Sequence, residues 1–393
     1  MTKICFFETK EDRINLLPFT FLRSIADFRV GILTIREKWE KHLSSEETTF
    51  LTDNYLSTIY PAPKNDEFYL FINASLLPDH TLLEKVRNLK ENQILSGANH
   101  ESLAAICRLK DFENKNFISE ITTYNYQKIS FKWDIFQKNG EEIEKDYVLL
   151  TQNKKSQKIS SSNLIIGNEE DIFLEQDVWM EGCILNCTKG KIYIGSGTTI
   201  MEGSMIRGPF ASCNHAEVKM GAKIYGPTTL GPYCKAGGEL NNVVMFAYSN
   251  KGHDGFIGNS VIAEWCNLGA DTNCSNLKNT YDNVKVYSYA TRNFEDSGLQ
   301  FCGLFMGDHV KCSINSMFNT GTTVGICCNI FDSGFPPKFI PSFSWGGSSD
   351  FQKFNIEKLL ESIENTMARR GKKLDAPRVD IIKNLYAQTY NFQ

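Results

Sequence analysis

From Asp171 to the neighbourhood of Gly347 the chain repeats itself with a period of six. Ile194-Gly195, Ile200 and Ile206 form one in-phase run, Ile224 and Leu230-Gly231 a second, and Met306-Gly307, Cys312, Phe318, Val324-Gly325 and Ile330 a third. A helix returns to one face every ~3.6 residues and an ordinary strand every two, so neither accounts for this spacing. It suits short strands that each send one apolar side chain inward and then turn a tight corner, which glycine tolerates. Stacked coils of this kind bury a shared core, so the repeat predicts a parallel β-helix of hexapeptide units. A β-sandwich with glycine turns would instead show two-residue alternation over longer strands. The phase breaks between Gly208 and Lys219 and between Tyr281 and Gln300, where loops are expected to leave the coils.

The remainder of the chain has a different grammar. Residues 1–150 alternate short apolar runs with amphipathic ones. ICFF and EFYLFINASLL read as strands, the latter running into a turn. ILTIREKWEKHL reads as a helix start and HTLLEKVRNLKENQIL as a helix, which together predict an α/β domain on a largely parallel sheet. TQNKKSQKISSSN is polar and linker-like, so residues 151–170 are taken as a connection and 171–348 as the β-helix. Beyond it, FNIEKLLESIENTMARR and VDIIKNLYAQTY carry helical spacing on either side of GKKLDAP, which makes 349–393 a helical end piece.

Composition narrows the partners. A net charge of -4 and a pI near 6.0 give no electrostatic reason to expect nucleic acid. No apolar run is long enough to span a bilayer and the N-terminus lacks the pattern of a signal peptide, so membrane insertion is not expected and a cytoplasmic location is. Twelve scattered cysteines without a C-x-x-C pair then read as reduced thiols, not as disulfides or a zinc site. No metal ligand set is singled out.

The chemistry concentrates in KGHDGFIGNSVIAEWCNLGADTNCSN. An isolated histidine between glycines is either a structural side chain or a general base: an imidazole near neutral pKa can take a proton from an attacking amine or hydroxyl. A carboxylate often orients such a base, and backbone N–H groups or asparagine amides can hold a developing oxyanion. His215 and His309 lie in the same region. Lys311 reads either as solvated or as a contact for coenzyme A phosphates, and Trp265 and Trp345 as core or end-cap aromatics.

The order Gly-His, apolar-Gly, Asn-apolar-Gly-Ala and Asn resembles the acetyltransferase domain of the bifunctional N-acetylglucosamine-1-phosphate uridyltransferase and glucosamine-1-phosphate acetyltransferase family. That family joins a nucleotidyltransferase domain to a left-handed β-helix that forms trimers. The resemblance implies that His253 is the catalytic base, that Glu239 is the carboxylate near it, and that Asn276 and backbone near Ala270 steady the oxyanion. It further implies that Asn267 and Asn276 contact the sugar, that Lys223 holds the sugar phosphate, and that Ala270 lies beside the thioester of acetyl-CoA, the acyl donor. A tyrosine of the pattern is Phe256 here and a lysine is Asn241, which puts the identity of the acceptor in doubt. Over most of its length the chain is similar to a family of sugar nucleotidyltransferase, or uridyltransferase-like, proteins. The matching blocks are LLPFTFLRSIADFRVGILTIREKWE, INASLLP, GHDGFIGNSVIAEWCNLGADTNCSNLKN, MGDHVKCSINSMFNTGTTVG and SFSWGG.

The fold expected is therefore an α/β nucleotidyltransferase-like (Rossmann-like) domain, a left-handed parallel β-helix of hexapeptide repeats and C-terminal helices. Left-handed connections break the usual rule for parallel strands, and the hexapeptide pattern is what demands them here. In the first domain, FETKEDRINLLPFT follows the first strand with no glycine, so the familiar phosphate-cradling loop is absent. Arg23, Arg29 and Lys38 are candidate phosphate contacts; the alternative is surface charge or pairing with Asp27, Glu37 and Glu40. The expected function is acetyl-CoA-dependent acyl transfer to a sugar phosphate or nucleotide sugar by a homotrimer. Two rivals stand beside it. One is a sugar-1-phosphate nucleotidyltransferase, using Mg²⁺ with a nucleoside triphosphate, whose β-helix is a trimer scaffold; the other is an inactive binding or regulatory protein.

Overall fold

The computed structural model describes residues 3–45, 47–348 and 350–388. It divides into two compact units. One takes in the chain up to Leu16, Leu22–Phe28 and Leu33–Phe131; the other takes in Leu17–Phe21, Arg29–Ile32 and the chain from Lys132 onward. This division differs from the expected boundary at residue 150, because the helix Asp134–Thr151 belongs with the repeats.

The first unit is an α/β layer on a six-stranded sheet ordered Thr48–Leu51, Ile4–Phe7, Phe68–Asn73, Ser102–Arg108, Gln93–Ser96 and Ser119–Thr122. ICFF forms its strand with every residue buried, as a central strand covered on both faces must be. The first three strands are parallel and Gln93–Ser96 and Ser119–Thr122 run in the same direction; Ser102–Arg108 is antiparallel to both of its neighbours, so the sheet is largely parallel, as expected, with one reversed strand. The helix expected over HTLLEKVRNLKENQIL ends at Arg87, and Gln93–Ser96 is a strand. Helix Ile35–Leu43 starts at a reciprocal cap, in which Thr34 Oγ1 accepts from Glu37 N while Glu37 accepts from Thr34 N.

The second unit is the solenoid, of about ten turns. Thr199 pairs with Glu217 and Glu217 with Lys235, so a full coil takes eighteen residues, three hexapeptides. Its core is a continuous apolar filling that includes Ile200, Ile206, Val218, Ile224, Leu230, Met306, Cys312, Phe318, Val324 and Ile330, which are the in-phase residues of the repeat. The solenoid starts earlier than expected, since Leu164–Ile166 already pairs with Ile184–Asn186. No loop leaves between Gly208 and Lys219: Phe210–Ser212 and Glu217–Val218 are regular members of the ladders. The second expected break is real. Lys285–Ser288 and Asn293–Asp296 form an antiparallel hairpin, after which Phe305 resumes the ladder opposite Val261.

One edge of the solenoid carries five stacked rings, His215, Tyr233, Tyr248, Trp265 and His309, with centroids 4.9, 5.1, 4.1 and 6.4 Å apart. Each of the five has φ between 55° and 61°, so each corner residue adopts the left-handed conformation and its ring lies over the next. At the far end Ser344–Gly346 pairs antiparallel with Phe351–Lys353, and helices Ile356–Ala368 and Ala376–Gln388 follow. Lys311, read as solvated or as a phosphate contact, is half-buried and its ammonium is engaged by one of the end helices. Its Nζ donates to Ser362 Oγ at 2.5 Å and Thr366 Oγ1 at 2.9 Å of the first of these helices.

Helix Asp134–Thr151 docks on the coils through a polar face as well as an apolar one. Asn139 Oδ1 accepts from Gly31 N at 2.8 Å and from Thr229 Oγ1 at 3.0 Å, and Asp146 Oδ2 accepts from Ile32 N at 2.8 Å. Just before this helix, Lys132 is buried and, among the described residues, forms no salt bridge. Its Nζ donates to Tyr287 O at 2.6 Å and lies 5.5 Å from the centre of the Phe305 ring. Burial pushes this lysine down to about 7, with Cys302 and Glu295 pulling the other way. Between that value and the ordinary 10.5 the unfolded chain holds a proton that the folded chain has shed, so folding stability rises with pH across this window. Lys132→Met is expected to raise the melting temperature at pH 6 to 7 and to flatten that rise, as read by thermal melts from pH 6 to 10.

Candidate functional site

His253 is exposed on the corner between the strand Asn250–Lys251 and the strand Phe256–Ile262. The corner has a distinctive step. Four residues, 252–255, separate Lys251 from Phe256, whereas only Gly237 and Gly238 separate their partners Ala236 and Glu239 on the preceding coil. The longer corner therefore folds down over the shorter one. A Cβ on Gly238 would lie 2.9 Å from His253 O and Asp254 Cα, and one on Gly255, where φ is +108°, would lie 2.2 Å from Thr272 O. Only glycine fits at either position.

Around this step the candidate residues fall into distinct groups. Ala270 occupies the equivalent corner one coil beyond His253, because Asn250 pairs with Asn267. Lys223, Glu239 and Phe256 are successive outward neighbours on one face, and the next residues, Ile224, Leu240 and Ile257, point into the core. The backbone N–H of Glu239 donates to Gly255 O at 3.1 Å, which ties that strand to the His253 corner. No hydrogen bond joins the Glu239 and His253 side chains, so the expected orienting carboxylate is a neighbour and not a direct partner. Asn267 stands on the other face, with its Oδ1 accepting from Asn250 Nδ2 at 3.4 Å.

Asn276 is placed differently from the expectation for an oxyanion donor. Its Nδ2 donates to Asn259 Oδ1 at 2.7 Å, and Asn259 Nδ2 in turn donates at 3.0 Å to Asn242, once the Asn242 amide is turned to satisfy its neighbours. Three asparagines on successive coils thus form a ladder that closes a corner, a use of the amide that competes with catalysis. Arg29 is likewise committed elsewhere. It is buried, and its guanidinium donates to Phe246 O at 3.3 Å, to Ile32 O and to Cys213 Sγ, which fastens Arg29–Ile32 to the coils.

Arg23 and Lys38 lie in the first unit, and both are buried, which excludes the reading of solvated surface charge. Asp27 pairs with Arg36 at 2.8 Å. The loop after the first strand holds a polar cluster that the pattern did not single out. The Glu8 carboxylate is wholly buried and accepts from Arg13 Nη1 at 2.6 Å, Ser24 Oγ at 2.7 Å, the Ile25 N–H and Thr52 Oγ1. Arg13 also meets Asp53 at 2.7 Å. The arginine nearest the place of a phosphate loop is therefore neutralised by two carboxylates. Among the described residues no three His, Cys, Asp or Glu side chains converge as metal ligands. Nor is any described helix long and apolar enough to cross a membrane.

These features can be set beside known proteins. Residues 4–155 match the sugar nucleotidyl transferase family. A curated protein similar to part of this chain is the bifunctional sugar-1-phosphate nucleotidylyltransferase/acetyltransferase of Sulfurisphaera tokodaii, 32% identical over 145 residues. The alignment covers 36% of each chain, so the match spans about a third of that relative's length. Among solved structures, an Arabidopsis UDP-N-acetylglucosamine acyltransferase is 13% identical over 60% of this chain and 92% of its own, with a TM-score of 0.23. The polySia-specific acetyltransferase NeuO is 11% identical over 49% of this chain and 83% of its own, with a TM-score of 0.24.

Lys251 was not among the candidates, yet it sits in the phase of the apolar repeat, opposite Ala236, where a charged side chain is itself the signal.

Proposed function

We propose that the chain is a transferase acting on sugar phosphates or nucleotide sugars, with acyl transfer from acetyl-CoA carried out at the His253 corner. The observation that carries this reading is an exposed imidazole on a corner of a hexapeptide solenoid that overhangs the two-residue corner of the preceding coil, in a chain whose N-terminal segment matches the sugar nucleotidyl transferase family. The bifunctional name of the curated relative supports the pairing of the two activities.

In the proposed step the His253 ring takes the proton of an acceptor amine or hydroxyl as that group attacks the thioester carbonyl. The C–S bond of the tetrahedral intermediate then breaks, and the imidazolium returns the proton to the departing coenzyme A sulfur. Lys223 and Glu239, on the face adjoining the corner, are suited to the acceptor's phosphate and amine respectively, and Asn267 to its hydroxyls. Backbone N–H groups near Ala270 are the better candidates for the oxyanion, since the Asn276 amide already has a partner.

A neighbouring copy is part of this reading. Leu164, Ile166, Met205 and Tyr225 are exposed apolar side chains on the solenoid face that also carries Lys223 and Glu239. Such a patch favours burial against another protein surface. The expected result is a homotrimer of the 44.6 kDa chain, with Met205→Glu lowering its mass in multi-angle light scattering.

For the first unit the family match favours nucleotide or sugar-phosphate binding. The test of the whole reading is incubation with acetyl-CoA and a panel of amino and hydroxy sugar phosphates, following coenzyme A by chromatography. A parallel melt with nucleoside triphosphate and Mg²⁺ separates it from nucleotidyl transfer alone. Acceptor-dependent release supports acyl transfer; stabilisation by the nucleotide with no release with any acceptor supports the scaffold alternative.

A further inference from the structure

The inner column of the solenoid that runs Met180, Ile200, Val218, Ala236, Leu268, Cys312, Ile330 is apolar at every coil but one. At that coil the place opposite Ala236 is taken by Lys251, 1% exposed. A charged amine inside an apolar column is costly, and an aliphatic residue would fill the same space without that cost.

What surrounds the ammonium gives the reason for it. Its Nζ donates to Asp254 O at 2.7 Å, to His253 O, and to Gly237 O at 3.4 Å. Two of these carbonyls belong to the four-residue corner 252–255 and the third to the two-residue corner beneath it. Three N–H donors thus meet three backbone acceptors, a match that no aliphatic, hydroxyl or neutral amide side chain offers. Burial pushes Lys251 down to about 8, while Asp254, Asp271 and Cys312 pull it up. From outside, the stem of Lys219 reaches across the same step: its Cε would lie 3.9 Å from a Cβ on Gly252.

We infer that Lys251 is a positioning residue: its buried ammonium clamps residues 252–255 onto Gly237 and so fixes where the exposed His253 stands. The clamp acts through the backbone of the histidine and needs no contact with substrate. It rests on the acyl-transfer reading only for its kinetic consequence, because the backbone geometry can be tested without turnover. A lysine here, and not at the equivalent place on other coils, follows from the step, since only this corner is two residues longer than the one below it.

The test uses the full chain and the substitution Lys251→Met, which restores the apolar column. The variant is expected to melt at or above the wild-type temperature. Hydrogen exchange of the peptide covering residues 250–257 should nonetheless accelerate by about tenfold, because its protection comes from local closure and not from global stability. His253-dependent coenzyme A release should fall by about 10- to 100-fold in kcat with a smaller change in KM, the cost of a displaced base. Lys251→Gln, which keeps two N–H donors, should recover part of the protection and of kcat, and it carries the same readouts should the methionine variant not fold.

Unchanged exchange at residues 250–257 overturns the clamp whatever the activity. Faster exchange with unchanged kcat overturns the positioning role. A wild type without His253-dependent release rejects the acyl-transfer reading instead, and the exchange measurement still decides on the clamp.

Discussion

His253→Ala should lower acceptor-dependent release of coenzyme A by about 10²- to 10⁴-fold, the range that a positioned general base contributes. It should leave the melting temperature within a degree or so, because an exposed side chain away from the core contributes little to stability. The pair of results matters more than either alone. A structural histidine would show the reverse, a shifted melt with turnover intact. Retention of more than about a tenth of the wild-type rate, measured by chromatography of the coenzyme, would remove His253 from the role of base.

Arg13→Ala is expected to destabilise the first unit by about 3–5 kcal/mol, the usual consequence of removing one partner of a buried ion pair. The Glu8 carboxylate would keep its contacts from Ser24, Ile25 and Thr52 but lose the only one of these partners that carries a full positive charge. Urea unfolding of the variant, followed beside Glu8→Gln and the double variant, reads the coupling directly. The double variant should recover a substantial part of the loss, because it leaves no uncompensated charge. Were Arg13 instead a loosely held phosphate ligand, Arg13→Ala would leave stability within about 1 kcal/mol and weaken nucleotide binding.

The repeat was legible because its chemistry is one residue deep: an inward aliphatic every six positions leaves a mark that no neighbour can hide. The stretch Gly208–Lys219 hides the repeat for the same reason. There the inward places are filled by Phe210, Ser212 and Ala216, which break the aliphatic phase while keeping the ladder. Strand direction in the first unit left no such mark, since SLAAICR has the same buried pattern whichever way it runs. The histidine could be picked out locally, but the roles of Arg29 and Asn276 could not. Arg29 is explained by Phe246, more than two hundred residues away, and Asn276 by two asparagines on earlier coils. Lys251 lay in plain view as a charge in an apolar phase, and its meaning appeared only with the carbonyls that converge on it.

The stacked coils also work as a ruler. Partners in one column are separated by a single inter-strand spacing of about 4.8 Å, whatever their distance along the chain. Val261 and Phe305 are therefore no further apart than Thr199 and Glu217, although a hairpin lies between the first two. Anything lying lengthwise along a column meets a new side chain at each graduation. The reach of a bound molecule is set by how many coils it crosses, and changing that reach calls for adding or removing a whole coil.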